Sequence, residues 1–205
     1  MRKFPVRQLI LYTVYILLVF CIQVSYSAEM SFAGQIPDLM FVFTVLTAYF
    51  FDFRDGAIVG LILGLLRDCF CAPCVTGLDG SLVVTGGIGM LVLFLAAAFA
   101  SSFFTGRMKR NVPFSFATVA VATVIYKFSG YLLSSLWLAL VQHTATTMDF
   151  ADFAIWSLLP QLGLNLIAAI PLVFLLKFLG PYKRGSAKDR KEEKIISGEG
   201  NWVTY

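Results

Sequence analysis

Residues 37–80 read PDLMFVFTVLTAYFFDFRDGAIVGLILGLLRDCFCAPCVTGLDG, and how this stretch folds decides the fold of the chain. Two apolar runs, residues 39–51 and 56–66, flank a charged turn made of Asp52, Phe53, Arg54 and Asp55. At 1.5 Å per residue the first run covers about 20 Å, and the second less, against a bilayer hydrocarbon core of about 30 Å. Two arrangements fit: the second helix continues through Arg67 and Asp68, or the pair forms a re-entrant hairpin buried in protein. Both return the chain to the side it left.

The second run carries Gly56, Gly60 and Gly64 at i, i+4 and i+8, so one helix face lacks side chains. Such a stripe lets two backbones approach closely, and van der Waals contact then replaces the hydrophobic drive that lipid does not supply. The expectation is a helix-packing face that takes either a neighbour from this chain or a helix of a partner. Arg67 and Asp68 follow the stripe and read as a polar site at the outer end of the third span, since charges there are costly unless paired or used.

Composition fits this reading. The chain has 205 residues, 59% of them hydrophobic and 14% charged, with a mean hydropathy of +0.81. Soluble domains carry about 25% charged residues, so an integral membrane protein is expected, with no separate soluble catalytic domain. The net charge of +4 follows the membrane-flanking loops and forms no stripe for nucleic acid. Cys69, Cys71 and Cys74 form CFCAPC, but no second ligand pair accompanies them and the one histidine, His143, is distant. Neither a zinc site nor a thioredoxin-like pair is expected there. Cys21 lies in an apolar run, where a small buried hydrophobe is expected.

Outward from the hairpin, Arg2, Lys3 and Arg7 precede an apolar run at residues 9–24, read as an uncleaved first span although a signal peptide ending at Ser27 has similar features. Residues 81–104 and 114–141 read as further spans, the latter with Lys127 near its middle. A last span, 153–179, contains Gln161 and Asn165 and is interrupted by Pro160 and Pro171, where kinks are expected. Residues 1–180 thus form one six-span membrane domain, all-α, with short second and third spans. Residues 181–205 form a mixed-charge, disordered cytoplasmic tail. Basic residues gather at the N-terminus, Arg54, 107–110 and the tail, whereas Glu29, Asp79, Asp149 and Asp152 mark the opposite loops, with Arg67 the one basic exception. The positive-inside rule places both termini in the cytoplasm.

Lys127 needs a partner at mid-span, and Asp38 or Asp68 could supply one. Gln161 and Asn165, one turn apart, share a helix face and suit interhelical hydrogen bonds of about 0.6 kcal/mol each. Motifs HExxH, GxSxG, Walker A and GxGxxG are missing, so no catalytic residue, metal or cofactor is expected.

The arrangement resembles the MreD family, the rod shape-determining membrane proteins of bacteria. Pro37 opening the second span, Gly56-x3-Gly60-x3-Gly64-Leu-Leu-Arg67-Asp68, and then Gly77 carry the resemblance, which covers residues of about 7–179. The CFCAPC loop and the tail depart from the usual pattern. The resemblance implies a non-enzymatic scaffold of the peptidoglycan elongation machinery in the cytoplasmic membrane. It would dock a single-span MreC-like protein and act indirectly with MreB, RodA and a class B penicillin-binding protein. The six-span layout is also similar to the substrate-binding components of energy-coupling vitamin transporters. That second likeness implies a small-molecule site with Lys127, Gln161 and Asn165 as candidate contacts.

Overall fold

The structure, a computed structural model, describes residues 6–26, 31–70, 74–76, 82–84, 87–104, 112–141 and 150–180. The elements are α1 (Val6–Ser25), α2 (Leu39–Phe50), α3 (Phe53–Phe70), β1 (Cys74–Thr76), β2 (Leu82–Val84), α4 (Ile88–Phe104), α5 (Val112–Val141), α6 (Phe150–Phe153), a π-turn (Ala154–Leu158) and α7 (Leu159–Leu179). Apart from the β1–β2 hairpin, the regular structure is helical. The expectations for the tail, the basic loop at 107–110, the acidic loop at 142–149 and the residues around Ser27 lie outside the described residues.

Among the described residues, three helices are long and apolar enough to cross a membrane: Gln8–Ser25, Val112–Ser129 and Phe150–Leu179. Two others, Leu39–Phe50 and Gly89–Ser102, are apolar but shorter. The exterior of the bundle is apolar as well as its core. Helix α7 exposes Ile167, Ile170, Phe174 and Phe178 while burying Gln161 and Asn165. A helix that turns its hydrocarbon outward and its amides inward suits an apolar solvent.

Helix α2 is the axis of the bundle. Eleven of its twelve residues are buried, and it packs against α1, α3, α4, α5 and α7. It has no solvent-facing side, which explains why its sequence runs apolar all round instead of in a stripe. Its hydroxyls are satisfied locally: Thr44 Oγ1 donates to Met40 O at 2.8 Å and Thr47 Oγ1 to Phe43 O at 2.7 Å. Around it the core is closed by Val19, Leu63, Leu93, Val119 and Val173, with Ala97, Ala100, Ala168 and Ala169 keeping the flanking helices close.

The α2–α3 connection is a tight helical hairpin, and α3 runs without a break through Arg67 and Asp68 to Phe70. Asp52 starts α3 by accepting the Phe53 N–H at 2.8 Å on its side chain and the Gly56 N–H at 3.1 Å on its carbonyl.

The expected span at 81–104 is shorter than read. Residues 82–84 form β2, paired antiparallel with β1 in the register Cys74–Val84, Val75–Val83 and Thr76–Leu82, and the helix begins only at Ile88. Val and Thr favour the strand, and Gly87, at φ +93°, turns the chain into α4. Near Pro160 the helix widens instead of breaking. Leu159 N–H reaches back to Ala154 O across the π-turn, which makes room for a proline ring that would otherwise strike the preceding turn. Pro171 is carried inside α7.

Candidate functional site

The glycine stripe of α3 is filled from within the chain. A Cβ on Gly56 would collide with the Cβ of Ala48, and one on Gly60 would lie 2.9 Å from Thr44 Cγ2 and 3.0 Å from Leu93 O. At Gly64 it would strike Met90 Cα and sit 2.7 Å from Gly89 O. Helices α2 and α4 therefore lie directly on the stripe. The partner-helix packing expected of Gly56, Gly60 and Gly64 is corrected accordingly: the intramolecular alternative occupies the face, and backbone atoms at these distances leave no room for another helix.

Arg67 and Asp68 do not make one polar site. Consecutive helical residues point about 100° apart, and that angle sends the two side chains to different neighbours. Asp68, continuing the stripe of Gly60 and Gly64, is buried and caps α4 from outside. Its carboxylate accepts the N–H groups of Gly87 at 2.9 Å, Gly89 at 2.8 Å and Met90 at 3.3 Å. Three otherwise orphaned donors and the positive end of the α4 dipole are thus satisfied by one anion. Gly89 is required there, because a Cβ would meet the Asp68 carboxylate.

Arg67 turns instead to the start of α2. Its Nη1 donates to Asp38 Oδ2 at 2.9 Å, and its Nη2 to Tyr126 Oη at 3.2 Å. The side chains of this ion pair are 29% and 15% exposed, so water screens it only partly. Asp38 joins three elements, α2, α3 and α7. Its Oδ1 accepts the Phe41 N–H at 3.0 Å as the α2 N-cap, its Oδ2 holds α3, and its own N–H donates to Asn165 Oδ1 of α7 at 3.0 Å. From α1, Gln23 Oε1 accepts the next α2 donor, Leu39 N–H, at 2.7 Å. The buried N-terminus of α2 thus takes its hydrogen bonds from α1, α7 and its own cap.

Gln161 and Asn165 share a face, as their spacing implies, and both are buried. Gln161 Nε2 donates to Ile36 O and to Asn165 Oδ1, each at 3.0 Å. Asn165 Nδ2 donates to Thr123 Oγ1 of α5 at 3.1 Å. Both amides act as interhelical ties. Lys127 meets neither carboxylate suggested for it. Its Nζ donates to Gln35 Oε1 at 2.8 Å.

These groups surround a half-open cavity of about 430 Å³ where α1 and α3 end and α2 begins. Gln23 and Tyr26 line it from α1 and the residue after it, Gln35 and Asp38 from the segment before α2, Arg67 and Phe70 from α3, Tyr126 and Lys127 from α5, and Gln161 from α7. Tyr126 is fixed by stacking on Phe41, with ring centroids 5.1 Å apart. The volume lies within the range of about 300–1,000 Å³ common for small-molecule sites. Arg67, Lys127 and Gln161 were legible as candidates. Gln23, Gln35 and Tyr126 were missed, and of these only Gln23, an amide near the end of an otherwise apolar helix, left a signal in the sequence. Among the described residues no cluster of three or more His, Cys, Asp or Glu could hold a metal ion. Cys21 and Cys69 are free and exposed, so the burial expected of Cys21 is corrected: its face of α1 lies on the apolar exterior.

No known family, curated protein or solved structure matches this chain.

Proposed function

We propose that this chain is a non-enzymatic, multi-pass scaffold of the bacterial cytoplasmic membrane, with both termini cytoplasmic, acting in the cell-shape and peptidoglycan elongation machinery as MreD-like proteins do. One observation carries the reading. Among the described residues that bear the resemblance, several lock the centre of the bundle: the segment at Pro37 leads into the Asp38 cap, Gly56, Gly60 and Gly64 admit α2 and α4, and Asp68 caps α4. A rigid bundle with an apolar exterior suits a docking platform for a single-span partner of the MreC kind, with MreB, RodA and a class B penicillin-binding protein reached through it. Because α2 and α4 cover the glycine face, that partner seats on an outer face of the bundle.

Pull-down of tagged protein in mild detergent tests this, with mass spectrometry of the proteins recovered. Recovery of a single-span MreC-like protein, together with rounding of rod-shaped cells on depletion, is the expected result. Recovery of ATP-binding cassette subunits instead would overturn it. The cavity favours a second reading, a substrate-binding subunit of a small-molecule transporter. A stoichiometric small molecule in the same preparation would select that one.

A further inference from the structure

We propose that the cavity at the start of α2 binds one anionic group, a carboxylate or a phosphate, between Lys127 and Arg67. The inference holds for a scaffold and for a transporter subunit alike, and it goes beyond both by naming the charge and the atoms of the ligand.

Charge comes first. Among the described residues, the ionised side chains lining the cavity are Arg67, Lys127 and Asp38, which leaves one positive charge in excess. Asp38 is committed to Arg67 at 2.9 Å, so the excess resides on Lys127, whose one hydrogen-bond partner among the described residues is the neutral amide of Gln35. An ammonium set among helices of this apolarity, with no counter-ion in contact among the described residues, is costly unless an anion reaches it.

Hydrogen-bond capacity points the same way. Both Asp38 oxygens are occupied, one by Phe41 N–H and one by Arg67. Gln161 spends both amide protons on Ile36 O and Asn165. The donors are not spent. A lysine ammonium has three N–H groups and an arginine guanidinium five, against one bond made by Lys127 and two by Arg67. Tyr126 accepts from Arg67 and keeps its own phenolic proton for a further acceptor. A cavity with surplus donors, one surplus positive charge and its carboxylate already occupied selects a ligand that brings acceptor oxygens and a negative charge.

Such a group could sit on a soluble molecule or on a lipid headgroup, since the cavity lies at one end of an apolar bundle. The experiment separates the two. Thermal midpoints are measured in uncharged detergent with added inorganic phosphate, against sodium chloride of equal ionic strength. They are measured again in nanodiscs of phosphatidylcholine with and without phosphatidylglycerol.

Wild-type protein is expected to be stabilised in at least one arm, phosphate for a soluble anion or phosphatidylglycerol for a headgroup. Lys127→Met should weaken the apparent affinity in that arm by about tenfold or more, as the loss of a charge-assisted bond does, whereas Lys127→Arg retains the response. Should Lys127→Met fail to fold, Lys127→Gln replaces it, removing the charge while keeping a donor toward Gln35. No stabilisation of wild type in either arm, or an undiminished response in the uncharged variant, overturns the proposal. A neutral small molecule bound with equal affinity by wild type and variant overturns it too, while leaving the transporter reading intact.

Discussion

Two ends of the same helix behave in opposite ways. Along Gly56, Gly60 and Gly64, α3 meets its neighbours backbone to backbone, and a single added methyl group has nowhere to go. One turn later, at Arg67, the same helix opens onto a cavity of about 430 Å³ whose polar side chains come from five segments. The dry end is saturated by the chain's own helices, so it serves the fold. The polar end holds unspent donors, so it is the place where something from outside can be recognised. Glycines look like a docking surface and ion pairs look like structural ties, yet here the glycines do the tying and the charged residues border the space.

Substitutions sharpen this contrast. The largest effect is expected at the dry end. Gly64→Leu drives a side chain into the backbone of Met90, where overpacking of about 3 kcal/mol or more should leave little folded protein, read as loss of the monodisperse peak in detergent gel filtration. Next comes Asp38→Asn, which keeps a cap for Phe41 N–H but removes the counter-charge of Arg67. Breaking a fully buried pair costs about 3–5 kcal/mol. The partial exposure of this one lowers the expectation to about 2 kcal/mol, read as a fall in thermal midpoint. Adding Arg67→Gln to that variant should cost little more, because the pair is already lost.

Asp68→Asn should also cost about 2 kcal/mol, since one amide oxygen keeps only part of the cap, its NH2 group faces an N–H donor that the second carboxylate oxygen satisfied, and the charge at the helix dipole is lost. The smallest effect is expected for Gly163→Ala. A Cβ there meets nothing within 4 Å, so stability should stay within about 0.5 kcal/mol of wild type. If Gly163→Ala proved as damaging as Gly60→Ala, the distinction between packed and open glycines would fall.

Much of the fold was legible because apolar runs and their breaks are local. The hairpin of α2 and α3, the long α5 and the terminal helix follow from composition and length. The glycine stripe was readable as a packing face, though spacing within one helix cannot say which helix lies on it. Residues 81–104 were read as one span because Leu82–Val84 is as apolar as the helix after it; β-branching and Gly87 were the cues that a strand and a turn came first. The cavity was the hardest part to foresee. Lys127 and Gln35 are 92 positions apart and Asp38 and Asn165 are 127 apart, so no local pattern joins them. Asp38 itself, one residue ahead of an apolar run and just after Pro37, carried a readable capping signature.

The way α7 closes the structure bears on how the protein is made. Helix α2 is synthesised early, yet Asn165 holds the Asp38 N–H, Gln161 holds the Ile36 carbonyl, and Tyr15 of α1 donates to Leu179 O at 2.6 Å. A nascent chain that has inserted α1 to α5 therefore carries its central helix with a polar end still waiting for its partners. Contacts of this sequence separation form late. Maturation ends only when the last helix leaves the ribosome and docks, so a chain truncated before α7 presents an unfinished core to the proteases that survey the membrane.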